Sequence, residues 1–265
     1  MSTEVTSDQQ RVDAHGRFVW YDLMTGDAAG SVGFYTDLLP WQTVAMDMGE
    51  AGDYTMWTLT GDQDGSIGGL GPLPGEGVPP HWMAHVFVTD VDATAARAEE
   101  LGGTLHVPPT DIPGIGRYAA IGDPQGGSIG IYTSANPPGP IAQPKVGAFS
   151  WHELGTSDLD GALAFYGELF GWKELGSHDM GEMGPYRIYG QGDVPYGGMF
   201  TRPPQMPVTM WIYYVRVDDV EASCEAVKAA GGQVINGPMD VPGGDRVAQC
   251  VDPQGAMFAL HQHNG

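Results

Sequence analysis

Residues 18–41 read FVWYDLMTGDAAGSVGFYTDLLPW, and residues 149–172 read FSWHELGTSDLDGALAFYGELFGW. These are one pattern written twice. Trp20, Asp27, Phe34, Tyr35 and Trp41 return as Trp151, Asp158, Phe165, Tyr166 and Trp172, each 131 positions later (151 − 20 = 131). In both stretches a strand-like run precedes an Asp that can cap a helix N-terminus, and the helix carries Phe-Tyr on the face that should pack. Downstream, Asp90, Gly102, Gly103, Pro113, Arg117 and the Asp-Pro-Gln-Gly run at 123–126 match Asp219, Gly231, Gly232, Pro242, Arg246 and 252–255 at a spacing of 129 (219 − 90 = 129). A loop has lost two residues between the copies. A repeat this long is a duplicated domain, because solenoid units run only ~20–50 residues.

Each copy divides again. Strands are expected at 17–25, 83–89, 149–156 and 210–217, each followed by a capping Asp (Asp27, Asp90, Asp158, Asp219). Helices follow at 28–39, 91–101, 159–170 and 220–230; the second and fourth stop at Gly-Gly, which supplies a left-handed end. About three strands then complete each unit, as at 54–59, 116–121 and 128–132, and at 186–189, 246–251 and 256–261. The spacing therefore predicts an α+β fold of four βαβββ modules. The expected organisation is a disordered tail at 1–15, domains at 16–134 and 147–265, and a Pro/Gly linker at 135–146.

The chain has 265 residues, 42% of them apolar, and a formal net charge of −22. That composition supports real cores, and that charge repels nucleic acid and anionic membranes. Cys224 and Cys250 are the only cysteines; they read as small buried thiols, with no disulfide framework. No stretch approaches the ~20 apolar residues of a membrane span, and residues 1–10 carry no apolar signal core. The expectation is a cytoplasmic monomer or homodimer whose partner is a small molecule. Arg117 and Arg246, just before Asp-Pro-Gln-Gly, are expected to form a structural ion pair or a carbonyl clamp rather than to bind substrate. His81 and His152 alternate off the pocket face and are expected at an edge or on the surface. His106, His178 and His263 are expected in loops or at the terminus.

Four βαβββ units with these marks resemble the vicinal oxygen chelate superfamily, also called the glyoxalase/bleomycin resistance protein/dioxygenase fold, and most closely its two-domain glyoxalase-like subgroup, often labelled hydroxylase. The marks are the strand-Asp-helix openings, Phe-Tyr before Leu-Pro-Trp (39–41) or Phe-Gly-Trp (170–172), Gly68-Gly69 and Gly197-Gly198, and Arg before Asp-Pro-Gln-Gly. The resemblance implies paired modules curled into cup-shaped half-barrels, commonly with a divalent metal held inside by His, Gln or Glu.

At the positions the resemblance assigns to those ligands stand Trp20, Met83 and Gly130, then Trp151, Ile212 and Ala259. None offers a side chain suited to a divalent ion. The expected cofactor is therefore none, with a metal at shifted positions as the alternative. Two residues along, on the same strand faces, come Asp22, His85 and Tyr132 in the first copy and Glu153, Tyr214 and His261 in the second. Each set pairs a carboxylate with an imidazole and a phenol, the groups needed for proton transfer and oxyanion stabilisation. Trp20, Met83, Trp57, Trp151 and Ile212 are the expected substrate-facing walls. Three functions fit: metal-independent acid–base chemistry (isomerisation, elimination, hydration or cyclisation), non-catalytic sequestration of the bleomycin-resistance kind, and a metal-dependent lyase or dioxygenase with shifted ligands.

Overall fold

The structure is a computed structural model that describes residues 7–49, 52–139 and 141–264. Residues 1–6 of the expected tail and Pro140 of the expected linker lie outside the described residues. The chain runs α1 (Ser7–Ala14), β1 (Arg17–Thr25), α2 (Ala28–Leu38), β2 (Gln42–Asp47), β3 (Asp53–Thr58), β4 (Ser66–Pro72), β5 (His81–Phe87), α3 (Val91–Glu100), β6 (Thr104–Ile112), β7 (Gly116–Gly122) and β8 (Ser128–Ser134). The second copy runs β9 (Phe149–Thr156), α4 (Leu159–Phe170), β10 (Lys173–Asp179), β11 (Pro185–Gln191), β12 (Val194–Thr201), β13 (Met210–Val217), α5 (Val220–Ala229), β14 (Gln233–Asp240), β15 (Arg246–Val251) and β16 (Met257–Gln262). The βαβββ unit thus occurs four times, and the strands make two eight-stranded sheets, ordered β2-β3-β4-β1-β5-β8-β7-β6 and β10-β11-β12-β9-β13-β16-β15-β14.

Local chemistry explains the repeat. Asp27, Asp90, Asp158 and Asp219 each cap a helix, accepting from the backbone N–H three residues on. Gly102 and Gly231 take positive φ (85° and 87°) where α3 and α5 end, a conformation that costs glycine little. Arg117 bridges Asp92 and Asp111, and Arg246 bridges Glu221 and Asp240. The arginines therefore tie helix to strand, as expected. His106 and His178 lie within strands rather than loops. The helix α1 occupies part of the segment expected to be a tail; its Arg11 donates to Ser134 O and Thr133 Oγ1.

The chain packs as two compact units, one of Met1–Val19, Ala84–Ala142 and His152–Trp211, the other of Trp20–Met83, Gln143–Trp151 and Ile212–Gly265. The first unit joins the second module to the third, and the other joins the first module to the fourth. Within each, the repeated residues meet one another. In the first unit the Tyr166 hydroxyl donates to Asp123 Oδ2 at 2.9 Å, Trp211 Nε1 donates to Tyr166 Oη at 3.2 Å, and Trp172 Nε1 donates to Gly16 O at 2.6 Å. In the other unit, Tyr35 donates to Asp252 Oδ2 at 3.1 Å, Trp82 to Tyr35 Oη at 2.9 Å and Trp41 to Gly147 O at 2.7 Å. Asp123 and Asp252 also accept two backbone N–H groups each from their own turns. Burial pushes both carboxyls up, and these donors pull the other way. The Phe-Tyr helix and the Asp-Pro-Gln-Gly turn are thus two halves of one buried contact.

His152 is not at an edge. It is buried, stacked on Phe18 at 3.8 Å, with Nδ1 2.7 Å from Tyr196 O. The face opposite the expected pocket is the packed face of the strand, and burial brings this imidazole down to about 4. Cys224 and Cys250 are buried free thiols, and burial pushes Cys250 up to about 12. No helix among the described residues is long and apolar enough to cross a membrane.

Candidate functional site

In the unit of the first and fourth modules, β1 alternates so that Tyr21, Leu23 and Thr25 are buried while Trp20, Asp22 and Met24 are half-buried on the other face. Asp22 Oδ1 accepts a hydrogen bond from Tyr54 of β3 and one from Trp20 Nε1 at 3.1 Å. Trp20 Nε1 also lies 2.9 Å from Tyr54 Oη. Three side chains thus close a triangle of carboxylate, phenol and indole. Gly69 of β4, paired with Asp22, makes the room: a carbon built on it would stand 2.1 Å from the Tyr54 hydroxyl. Burial first, then the Asp22 charge, push the Tyr54 phenol above its ordinary range, so it stays protonated at neutral pH. Trp57, expected at the pocket wall, is instead fully buried in an aromatic core with Tyr35, Trp41 and Trp82, its Nε1 on Gly69 O. Met83 and Ile212 are buried as well.

The other unit repeats the carboxylate–phenol pair. Tyr186 of β11 donates to Glu153 Oε1 at 2.7 Å, and Gly198, paired with Glu153, leaves space for the Tyr186 ring. Neither Tyr54 nor Tyr186 was singled out as an acid by sequence. The available signal was their equivalent place opposite the second Gly of each Gly-Gly pair. His85 in this unit is buried on β5, with its ring against Gly130 of β8; a carbon on Gly130 would stand 2.2 Å from His85 Nδ1. Tyr132 follows on the same face and donates to Ile115 O at 3.4 Å. Burial raises its phenol.

In the fourth module, Tyr214 and His261 share a face, since β13 and β16 are parallel with Tyr214 opposite Ala259 and Arg216 opposite His261. Gln249 reaches Tyr214 Oη at 3.0 Å. His261 Nδ1 lies 2.8 Å from Ser150 Oγ, and its Nε2 lies 2.9 Å from Asp245 Oδ2. His263 Nδ1 lies 3.0 Å from Asp245 Oδ1, and Asn264 N donates to the same oxygen at 3.0 Å. Burial would raise the Asp245 carboxyl; the Asn264 N–H and the two imidazoles outweigh it and bring it to about 2. Asp22 and Glu153 thus each gain a tyrosine, His261 gains Asp245 and Ser150, and His85 packs on Gly130.

The positions that the resemblance assigns to a metal do not fit one. Trp20 commits its N–H to Asp22 and Tyr54. Gly130 lies under the His85 ring, Met83, Ile212 and Ala259 are buried apolar groups, and Trp151 is an indole. None supplies an oxygen, imidazole or thiolate donor.

The family model described as Glyoxalase/Bleomycin resistance protein/Dioxygenase superfamily matches residues 17–131 and 148–260. The "Putative glyoxylase CFP32" of Mycobacterium tuberculosis is 36% identical over 242 residues, covering 91% of this chain and 92% of that protein. "Anthracycline biosynthesis protein DauV" of Streptomyces sp. (strain C5) is 30% identical over 262 residues, covering 93% of each. Among solved structures, the Mn(II)-bound glyoxalase from Novosphingobium aromaticivorans aligns with a TM-score of 0.66 at 15% identity, covering 94% of this chain and 82% of that one. Homoprotocatechuate 2,3-dioxygenase from Arthrobacter globiformis gives a TM-score of 0.65 at 15% identity, covering 94% and 80%.

Proposed function

Because the chain belongs to the glyoxalase/bleomycin resistance protein/dioxygenase superfamily, we propose that it transforms a small organic molecule by acid–base chemistry needing no metal, centred on Asp22 and Tyr54. The observation that carries this reading is the hydrogen-bonded triangle of Asp22, Tyr54 and Trp20 on the half-buried face of β1. The Tyr54 oxygen takes a proton from an acidic position of the substrate as its own proton passes to Asp22. Trp20 Nε1 steadies the phenolic oxygen while the proton moves. The reverse transfer returns the proton to another atom of the product. Isomerisation, elimination and cyclisation can follow that sequence, and in hydration the proton would be taken from the attacking water instead. Glu153 and Tyr186 offer the same pair in the second copy, and His85 with Tyr132 offers an imidazole and a phenol on one face.

Relatives named for anthracycline biosynthesis favour a planar aromatic substrate, which the Trp20 indole can stack against. The test is turnover of hydroxylated aromatic candidates by the parent and by Tyr54→Phe. Loss of a relay group should lower kcat roughly 10²–10⁴-fold with KM little changed. Unchanged turnover in Tyr54→Phe refutes the reading. Tight binding of such compounds without any conversion refutes it too and identifies a sequestering protein.

A further inference from the structure

We propose that Asp245, His261 and His263 form a binding site for a divalent transition ion of the Zn2+ or Co2+ kind. Its three residues are none of the six positions where the resemblance would put a metal, and none belongs to the Asp22–Tyr54 pair. Strand register builds it. In the β15–β16 hairpin Arg246 pairs with Gln262 and Val247 with His261. Asp245 therefore stands across from His263, with His261 two residues back on the same face. One ligand atom from each residue lies within 4.8 Å of the others. A turn with positive φ at Gly243 and Gly244 delivers Asp245, and Asn264 pins it through its backbone N–H and through Nδ2 to Gly244 O.

Hydrogen-bond logic points to a cation here. Ser150 Oγ donates to Tyr214 O at 3.3 Å, which turns its lone pairs toward His261 Nδ1 at 2.8 Å. With Nδ1–H directed at Ser150, Nε2 is the ring atom that can bind an ion, and it stands 2.9 Å from the Asp245 oxygen. Either a proton in a hydrogen bond or a metal ion can bridge those two atoms, and a metal ion can take in His263 as well. His263 Nδ1 meets the same carboxylate at 3.0 and 3.1 Å. One ion bonded to both imidazoles and the carboxylate satisfies all three groups. Ser150 and Asn264 would then be the outer partners that hold ligands in orientation.

Bonds of ~2.0–2.1 Å put tetrahedral donors about 3.3 Å apart, so the gaps need only widen by roughly a few tenths of an ångström. Two imidazoles with one carboxylate favour Zn2+, Co2+ or Fe2+ over Mg2+ or Ca2+, and leave a coordination position for water. The first copy lacks the set: Gly116, Tyr132 and Ser134 stand at the matching positions, and Gly116 has no space for a side chain, because an added carbon would stand 2.1 Å from Thr133 O.

Chelator-stripped protein would be titrated with Co2+, read by its visible absorption, and with Zn2+ by calorimetry. The expected result is one ion per chain with Kd below roughly 10 µM and a higher Tm, and no comparable response to Mg2+. Asp245→Asn and His263→Ala should each weaken binding at least tenfold, and Ser150→Ala about tenfold, while His178→Ala matches the parent. His263 is 43% exposed, so its replacement leaves folding intact, which circular dichroism checks. Absence of saturable binding, or parental affinity in His263→Ala and Asp245→Asn, overturns the proposal. So does an ion-free protein whose two imidazoles are both protonated at neutral pH and bind no Zn2+.

Discussion

Acid should loosen the unit that holds His152, and that one ring should contribute a measurable share. His152 is 6% exposed and stacked on Phe18, and burial lowers it from an ordinary 6.5 to about 4. The folded-state value is depressed, so the neutral ring is favoured by folding. Between about pH 6.5 and 4 the unfolded chain binds a proton that the folded chain refuses. The stabilisation is full above 6.5 and is lost as pH falls through that window. At ~1.36 kcal/mol per pH unit, the interval from 6.5 down to about 4 is worth roughly 3 kcal/mol, most of it gone by pH 4.5. Urea unfolding of the parent and of His152→Phe at pH 7 and pH 4.5 measures it. Comparing the two proteins cancels the carboxylates, which titrate in both. The parent should lose about 2 kcal/mol more than the variant over that interval, and an NMR titration should place the His152 ring near 4. Equal pH sensitivity in both proteins, or a ring titrating near 6.5, refutes the reasoning.

Further outcomes follow from the contacts between repeated residues and from the carboxylate–phenol pairs. Tyr35→Phe removes a buried hydroxyl that links Trp82 to Asp252, and should cost about 1.5–3 kcal/mol in chemical denaturation. Asp252→Ala should cost more, roughly 3 kcal/mol, because the N–H groups of Gln254 and Ala256 also lose their acceptor. Gly69→Ala should displace the Tyr54 hydroxyl, which stands 2.1 Å from the added carbon, and lower turnover as Tyr54→Phe does, while Gly33→Ala, with open space around it, should not. Arg117→Ala breaks exposed ion pairs with Asp92 and Asp111, and thermal unfolding should show little change in Tm.

The modules and their caps could be read from sequence because local chemistry writes them. An Asp before a helix and a Gly-Gly after one act within a few positions, and each Arg reaches one acidic partner along its own hairpin and another on the helix 25 residues back. The partners of the most repeated residues could not be read that way. Tyr35 meets Asp252 across 217 residues, and only the packing of the first module on the fourth brings them together. His152 was misplaced because alternation says which face a residue is on, not that the face away from a pocket is the buried one. Tyr54 and Tyr186 carry no motif that marks them as acids, although each faces a glycine that clears space for it. Asp245 escaped notice in a Gly-rich turn without periodicity; matching Arg246 to Gln262 across the hairpin would have found it beside His263.

The pairing of first module with fourth, and second with third, makes the two halves of the polypeptide mutually dependent. A gene fragment encoding only one copy would leave Tyr35 or Tyr166 without its carboxylate, and the tryptophans around them would face water. This pairing thus acts as a latch: neither half could be expressed by itself without exposing its sticky aromatic interior.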